Sequence, residues 1–179
     1  MKRLFTFTLL MTIFQICSFA QKGSILLYGN IDILSTKYSE DDKESHFSIN
    51  PGIGYQFSDH MTAGVDLAFT QWKVNDDKIT QLNAGPFFRY SMPIAGIFSA
   101  YTQVGVGYAS LKTEDTQSGF YAYVFPAIFM QVHNGFGLNF STGRLSYDKI
   151  GDISSFGFNY GIVPTIGVSV NFGGNKSAE

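Results

Sequence analysis

Residues 156–172 read FGFNYGIVPTIGVSVNF. Every second residue from Phe156 is apolar or aromatic: Phe156, Phe158, Tyr160, Ile162, Pro164, Ile166, Val168, Val170 and Phe172. The residues between them are small or polar except Val163. Period-2 alternation is the mark of a β-strand with two unlike faces. A strand in a globular protein runs to about 5–6 residues, and this alternation persists for 17. Such a strand needs an apolar medium on one side over its whole length.

Seven more alternating segments precede it. They lie near 24–37, 46–57, 61–73, 79–91, 98–111, 119–132 and 136–147. In 46–57, Phe47, Ile49, Pro51, Ile53, Tyr55 and Phe57 alternate with His46, Ser48, Asn50, Gly52, Gly54 and Gln56. In 98–111, Val104, Val106 and Tyr108 alternate with Gln103, Gly105 and Gly107. The segment 119–132 is the least regular, with aromatic residues on both faces. No window carries a sustained helical period. Each segment exceeds the about 9–11 residues with which a tilted strand crosses a bilayer.

The connections alternate in kind. YSEDDKES (38–45), NDDK (75–78), KTEDTQS (112–118) and DKIGDIS (148–154) are charged, whereas SDH (58–60), MPIAG (92–96) and HNG (133–135) are short and nearly uncharged. Of 26 charged residues, sixteen sit in or beside the first set of loops and only Asp32, Asp66, Arg89 and Arg144 fall within strands. A hydrocarbon slab imposes this segregation on an antiparallel meander, with larger loops on one side and tight turns on the other. Pro51, Pro86, Pro126 and Pro164 recur on the even-numbered strands, on the apolar face and at one implied height. Proline cannot donate to a ladder, so a bulge or a water-satisfied carbonyl is expected at each.

The chain has 179 residues, 15% of them charged and 16% aromatic, with a net charge of −2. The length suits one domain. The charge gives no reason to expect a nucleic-acid partner. Residues 1–20 have the form of a secretory signal: Lys2 and Arg3, an apolar run from Leu4, then Ser18-Phe19-Ala20, which sets cleavage between Ala20 and Gln21. Cys17, the single cysteine, lies inside that segment, so the mature chain has no disulfide. The expected domains are a signal at 1–20, a barrel at 21–172 and a short tail at 173–179.

These features together resemble the eight-stranded outer-membrane barrels. In size the chain is similar to OmpX-like barrels and the transmembrane part of OmpA. Its glycine-rich strands with a proline in mid-strand, NPGIGYQF and VPTIGVSV, resemble the outer membrane protein β-barrel domains common in Bacteroidetes. The resemblance implies an all-β fold, an eight-stranded antiparallel up-and-down transmembrane β-barrel, present as a monomer in the outer membrane. It further implies charged loops outside the cell, both mature termini in the periplasm, and contacts with lipid, lipopolysaccharide and the barrel assembly machinery, which reads a terminal aromatic such as Phe172.

In a membrane every backbone group must find a partner inside the protein, so a spanning sheet must close. Phe57, Trp72, Tyr90, Phe98 and Phe172 are then candidates for the aromatic girdles, although alternation also places Trp72 with Thr70 on the inner face. The inner face gathers Asp32, Asp66, Arg89 and Arg144 with His46, Asn50, Gln56, Asn83, Gln103 and Asn159. Eight strands leave a lumen that side chains fill, and buried charges of both signs are expected to form one network, with Asp66 and Arg89 as a candidate pair.

No cofactor or metal motif appears. Three scattered histidines without cysteine make no metal site. The run His46-Phe47-Ser48-Ile49-Asn50 resembles the His-x-Ser-Asn of PagL lipid A deacylases. An extra residue precedes Asn50, and the sequence places no acid to orient the histidine, so no enzyme is expected. The acid-rich loop at Glu40, Asp41, Asp42 and Glu44 is read as solvated. The leading function is a structural or surface-interaction role for a barrel with a plugged polar lumen. A small pore or ligand passage is the alternative. A secreted lipocalin-like binding barrel is the second, and it would need charges along the outer face that this chain lacks.

Overall fold

The computed structural model describes residues 23–38, 43–75, 77–133 and 135–172, with the side chains of 161–164 set aside. The signal with Ala20 and Gln21, and the tail at 173–179, lie outside the described residues. Ten strand segments make eight crossings: β1 (Ile25–Gly29) and β2 (Ile31–Lys37), β3 (Lys43–Ile49) and β4 (Gly52–Gln56), β5 (Met61–Val74), β6 (Asp77–Ala95), β7 (Phe98–Lys112), β8 (Thr116–His133), β9 (Phe136–Ile150) and β10 (Ile153–Phe172). Each crossing is hydrogen-bonded antiparallel to the next, and β1 pairs with β10 to complete the ring. The expected all-β up-and-down barrel is the fold observed.

The two split crossings are broken side by side. Asn50 N–H donates to Asn30 O at 3.0 Å, and beside it Pro51 accepts from Leu67 N–H at 2.9 Å with no proton to return. Other prolines mark irregular ladders as well. Register shifts between Val124 and Ala127 on β8, around Pro126, and between Tyr160 and Thr165 on β10, a span that contains position 164. On β6 the pairing with β7 passes from Ala84↔Tyr108 to Phe87↔Gly105 without a shift, skipping Pro86. The sheet thus absorbs the missing donors locally, as bulges do.

From Ile25↔Phe172 to Gly29↔Val168 the first and last crossings are paired. Beyond Asn30, β2 pairs with β3 from Ile31↔Ile49 to Lys37↔Lys43. The expectation of a closed antiparallel sheet is met by the pairing of the first and last crossings.

The alternation assigns the faces. Ile25, Leu27, Ile53, Val65, Phe88, Val104, Val106, Val168 and Phe172 are exposed on the outside. Phe57 packs near Phe88, and His60 near Tyr90, toward the short turns. Trp72 is instead directly opposite His46 and stacked on it, with ring centroids 5.5 Å apart. It belongs to the inner face near the charged loops.

Candidate functional site

Inside the barrel lies a cavity of about 400 Å³. Asp32, His46, Asn50, Asp66, Asn83, Gln103, Arg144 and Asn159 line it, brought together by the alternation of β2 through β10. Arg89 is not on its wall. It sits next to Gln103, and both are buried, at 5% and 1% exposure. Gln56 is not on the wall either. It accepts from Ser24 Oγ at 3.2 Å and donates to Asp59 O, beside the 58–60 turn.

The expected pairing of Asp66 with Arg89 takes another form. Arg89 donates from both Nε and Nη2 to Gln103 Oε1, at 2.9 and 2.7 Å. Gln103 Nε2 donates in turn to Tyr28 OH and Tyr123 OH, each at 2.8 Å. Tyr123 OH donates to one Asp66 oxygen and Tyr121 OH to the other, the latter at 2.8 Å. The acid and the base are therefore linked through an amide and a phenol. A glutamine has one acceptor and two donors to offer, and here all are used.

The guanidinium of Arg89 has aromatic faces around it rather than a carboxylate. Its central carbon is 4.6 Å from the Tyr28 ring centroid and 4.1 Å from that of Tyr101. Such contacts stabilise a desolvated cation by roughly 2 kcal/mol or more. Tyr101 OH is fixed by Asn139 Oδ1 at 3.1 Å. Cation, amide and phenols thus form one bonded layer across the lumen, with the cavity on its charged-loop side.

Sequence reasoning placed the polar residues on this face and missed the tyrosines. Tyr28 shares the face of Asn30 and Asp32, a legible signal. Tyr121 and Tyr123 were obscured by aromatics on both faces of their strand. The structure also shows why the inner face is rich in glycine. Tyr28 lies directly across from Gly52, Tyr121 from Gly107 and Tyr123 from Gly105. The rings occupy the space that a glycine leaves open.

Gly107 is the tightest of these for the backbone. A Cβ there would overlap the Ala84 carbonyl oxygen and lie 2.7 Å from both Gly85 Cα and the Tyr121 ring. Gly107→Ala is expected to cost about 1–3 kcal/mol, as overpacking does, measured by urea unfolding in micelles. Gly157→Ala, whose Cβ meets only the movable Ser146 hydroxyl at 2.9 Å, is expected to change stability by less than about 0.5 kcal/mol.

An acid does stand near His46: Asp32 Oδ1 is 3.5 Å from its Nδ1, reached from the neighbouring strand. Ser48, however, is engaged with Thr70 Oγ1 at 3.1 Å and with Asn50 Nδ2 at 3.2 Å, and no bond joins it to His46 among the described residues. No group of three or more metal-binding side chains occurs among them either.

No protein-family model matches the chain, and no curated protein does. Solved structures do. Neisserial surface protein A (NspA) superposes with a TM-score of 0.61 at 14% identity, over 86% of this chain and 99% of that one. The outer membrane protein OprG from Pseudomonas aeruginosa superposes with a TM-score of 0.53 at 15% identity, over 86% of this chain and 98% of that one. Identities this low speak of fold alone. The chain has the fold of the eight-stranded outer-membrane β-barrels.

Proposed function

We propose that this protein is a small, monomeric, non-enzymatic integral barrel of the bacterial outer membrane, with a plugged lumen and a structural or surface-interaction role. In this reading residues 1–20 are removed after Ala20, leaving Gln21 as the first residue. The charged loops face outward and both mature termini face the periplasm. Phe172 engages the assembly machinery, and lipid and lipopolysaccharide surround the barrel. The outer face supports the membrane assignment: soluble monomers rarely expose contiguous apolar patches beyond a few hundred Å², and here apolar side chains stay exposed along every crossing.

A bonded layer of side chains is the observation that supports the plugged reading of the lumen. The layer formed by Arg89, Gln103, Tyr28, Tyr101, Tyr123 and Asp66 holds a buried cation through two donors, Nε and Nη2, on Gln103 Oε1. An ion would have to break that layer to pass.

The test has two parts. The chain refolded in detergent is expected to migrate faster on SDS gels before boiling than after. In planar bilayers it is expected to show no sustained conductance at moderate voltage. Steady conductance would favour the passage reading. A chain that stays folded and monomeric without detergent, and shows no heat shift, would favour the secreted binding barrel.

A further inference from the structure

The lysines of the described strands share one placement. Lys37, Lys43, Lys73, Lys78, Lys112 and Lys149 are all exposed, and each keeps the parity of the outward residues of its strand. Lys37 faces Lys43 on the ladder that sets Ile33 opposite Phe47. On β2, β3, β5, β6 and β7 the lysine stands four residues beyond an outward apolar residue, namely Ile33, Phe47, Phe69, Leu82 and Tyr108. Midway on each strand is a hydroxyl or an amide: Ser35, Ser45, Gln71, Thr80 and Ser110. The acids at these strand ends avoid that face. Glu44 and Asp77 take the alternate positions, in line with His46 and Ile79, and Glu114, Asp115 and Asp152 sit in turns. A surface that is merely solvated mixes both signs.

The lysines also adjoin one another. Lys37↔Lys43 and Lys73↔Lys78 are direct cross-strand partners. Lys73 is across from Ser45, which puts Lys43 on its diagonal, and Lys112 is across from Thr80, which puts it on the diagonal of Lys78. Direct partners have Cβ atoms about 4.5–5.5 Å apart, and diagonal ones stay within reach of long side chains. The ammonium groups from Lys37 to Lys112 thus make an unbroken arc over neighbouring strands. Like charges directly opposite destabilise a sheet, and none of these lysines forms an ion pair with a described acid. An anion that bridges them removes the repulsion. Lysine binds phosphate as a point charge, and its stem lies along apolar surface while its head stays in the polar layer.

We infer that the arc Lys37–Lys43–Lys73–Lys78–Lys112 is a binding site for the headgroup phosphates of an outer-leaflet lipid, whose acyl chains lie on the apolar residues directly below. The junction of arc and apolar face favours a lipid over a soluble anion, because one molecule with a phosphate head and an acyl tail covers both. The inference rests on the membrane-barrel reading. Loss of the heat shift in the wild-type chain overturns that reading, whereas a chain that keeps its heat shift and holds no phosphorylated lipid overturns the site alone.

The experiment is native mass spectrometry of the refolded chain in a neutral detergent, titrated with diphosphoryl lipid A. Wild type is expected to retain the lipid through activation. Retention is expected to fall about tenfold or more in Lys73→Gln/Lys78→Gln, which removes two cations from a charged lipid surface. It is expected to persist in Lys73→Arg/Lys78→Arg and in Lys149→Gln, a lysine outside the arc. All three variants are expected to keep the heat shift, since the positions are exposed. Added salt is expected to weaken retention by screening. Four outcomes overturn the inference. Undiminished retention in Lys73→Gln/Lys78→Gln would mean that acyl chains alone hold the lipid. An equal loss in Lys149→Gln would mean diffuse charge and no arc. Full competition by inorganic phosphate would mean a free-anion site. Heparin held by wild type, with no lipid retained, would assign the arc to a soluble polyanion.

Discussion

Gln103→Leu is expected to lower the stability of the barrel by about 3 kcal/mol or more, the cost of leaving a buried charge without its bonded partner. The wild-type amide is the sole hydrogen-bond acceptor that Arg89 has among the described residues, and it takes two donors at once. Leucine fills nearly the same volume, so packing changes little and the loss is electrostatic. The double variant Arg89→Met/Gln103→Leu is expected to recover most of it, because an apolar pair in a packed layer needs no partner. Arg89→Ala/Asp66→Ala is expected to show weaker coupling than Arg89→Ala/Gln103→Ala, since Asp66 reaches Arg89 only through Tyr123 and Gln103. Unfolding in urea, with intrinsic fluorescence as the readout, gives all these values. Equal stability of Gln103→Leu and wild type would mean that water from the cavity replaces the amide and that the layer is not dry.

The crossings were legible because the cause of the pattern acts on every residue. Lipid on one side and a narrow polar space on the other force alternation along the whole strand, and the hydrocarbon sweeps charges to the ends. The observed strands extend past the alternating segments. β6, for example, runs from Asp77 to Ala95, where 79–91 alternates, because strand pairing continues into water once a hairpin is formed. The inner wall was legible as a set of polar positions and not as a set of bonds. Alternation says that Arg89 and Asp66 share a face; it does not say how far each strand is staggered around the ring. That stagger sets Gln103, four crossings from Tyr28 on the opposite side of the lumen, within 2.8 Å of its hydroxyl. The acid beside His46 was invisible for the same reason, since Asp32 arrives on a different strand. The break between β1 and β2 at Asn30 had no signal in the sequence of the first crossing, whose alternation continues through Ile31 and Ile33.

Val168→Arg is expected to destabilise the folded barrel by about 2–4 kcal/mol, the cost of a cation on the lipid face near the bilayer midplane. Val168 lies four positions before Phe172 on β10, close to half of the about 9–11 residues a tilted strand needs to cross. It points outward and is exposed, with Leu138 across one flank and Gly29 across the other. Among the described residues its cross-strand partners on that face, Leu138 and Gly29, carry no acid to offset the charge. Thr165→Arg probes the opposite face of the same strand. Thr165 is on the cavity wall, so an arginine there meets water and polar groups, and the expected penalty is smaller, from crowding alone. Asp152→Arg, in the tight turn before β10, controls for charge by itself and is expected to change stability by less than about 0.5 kcal/mol. Unfolding from lipid vesicles in urea measures the three side by side. The order Val168→Arg, then Thr165→Arg, then Asp152→Arg follows from hydrocarbon outside the wall. If water bathed the outside instead, Val168→Arg would be harmless and Thr165→Arg, in the confined interior, would cost the most.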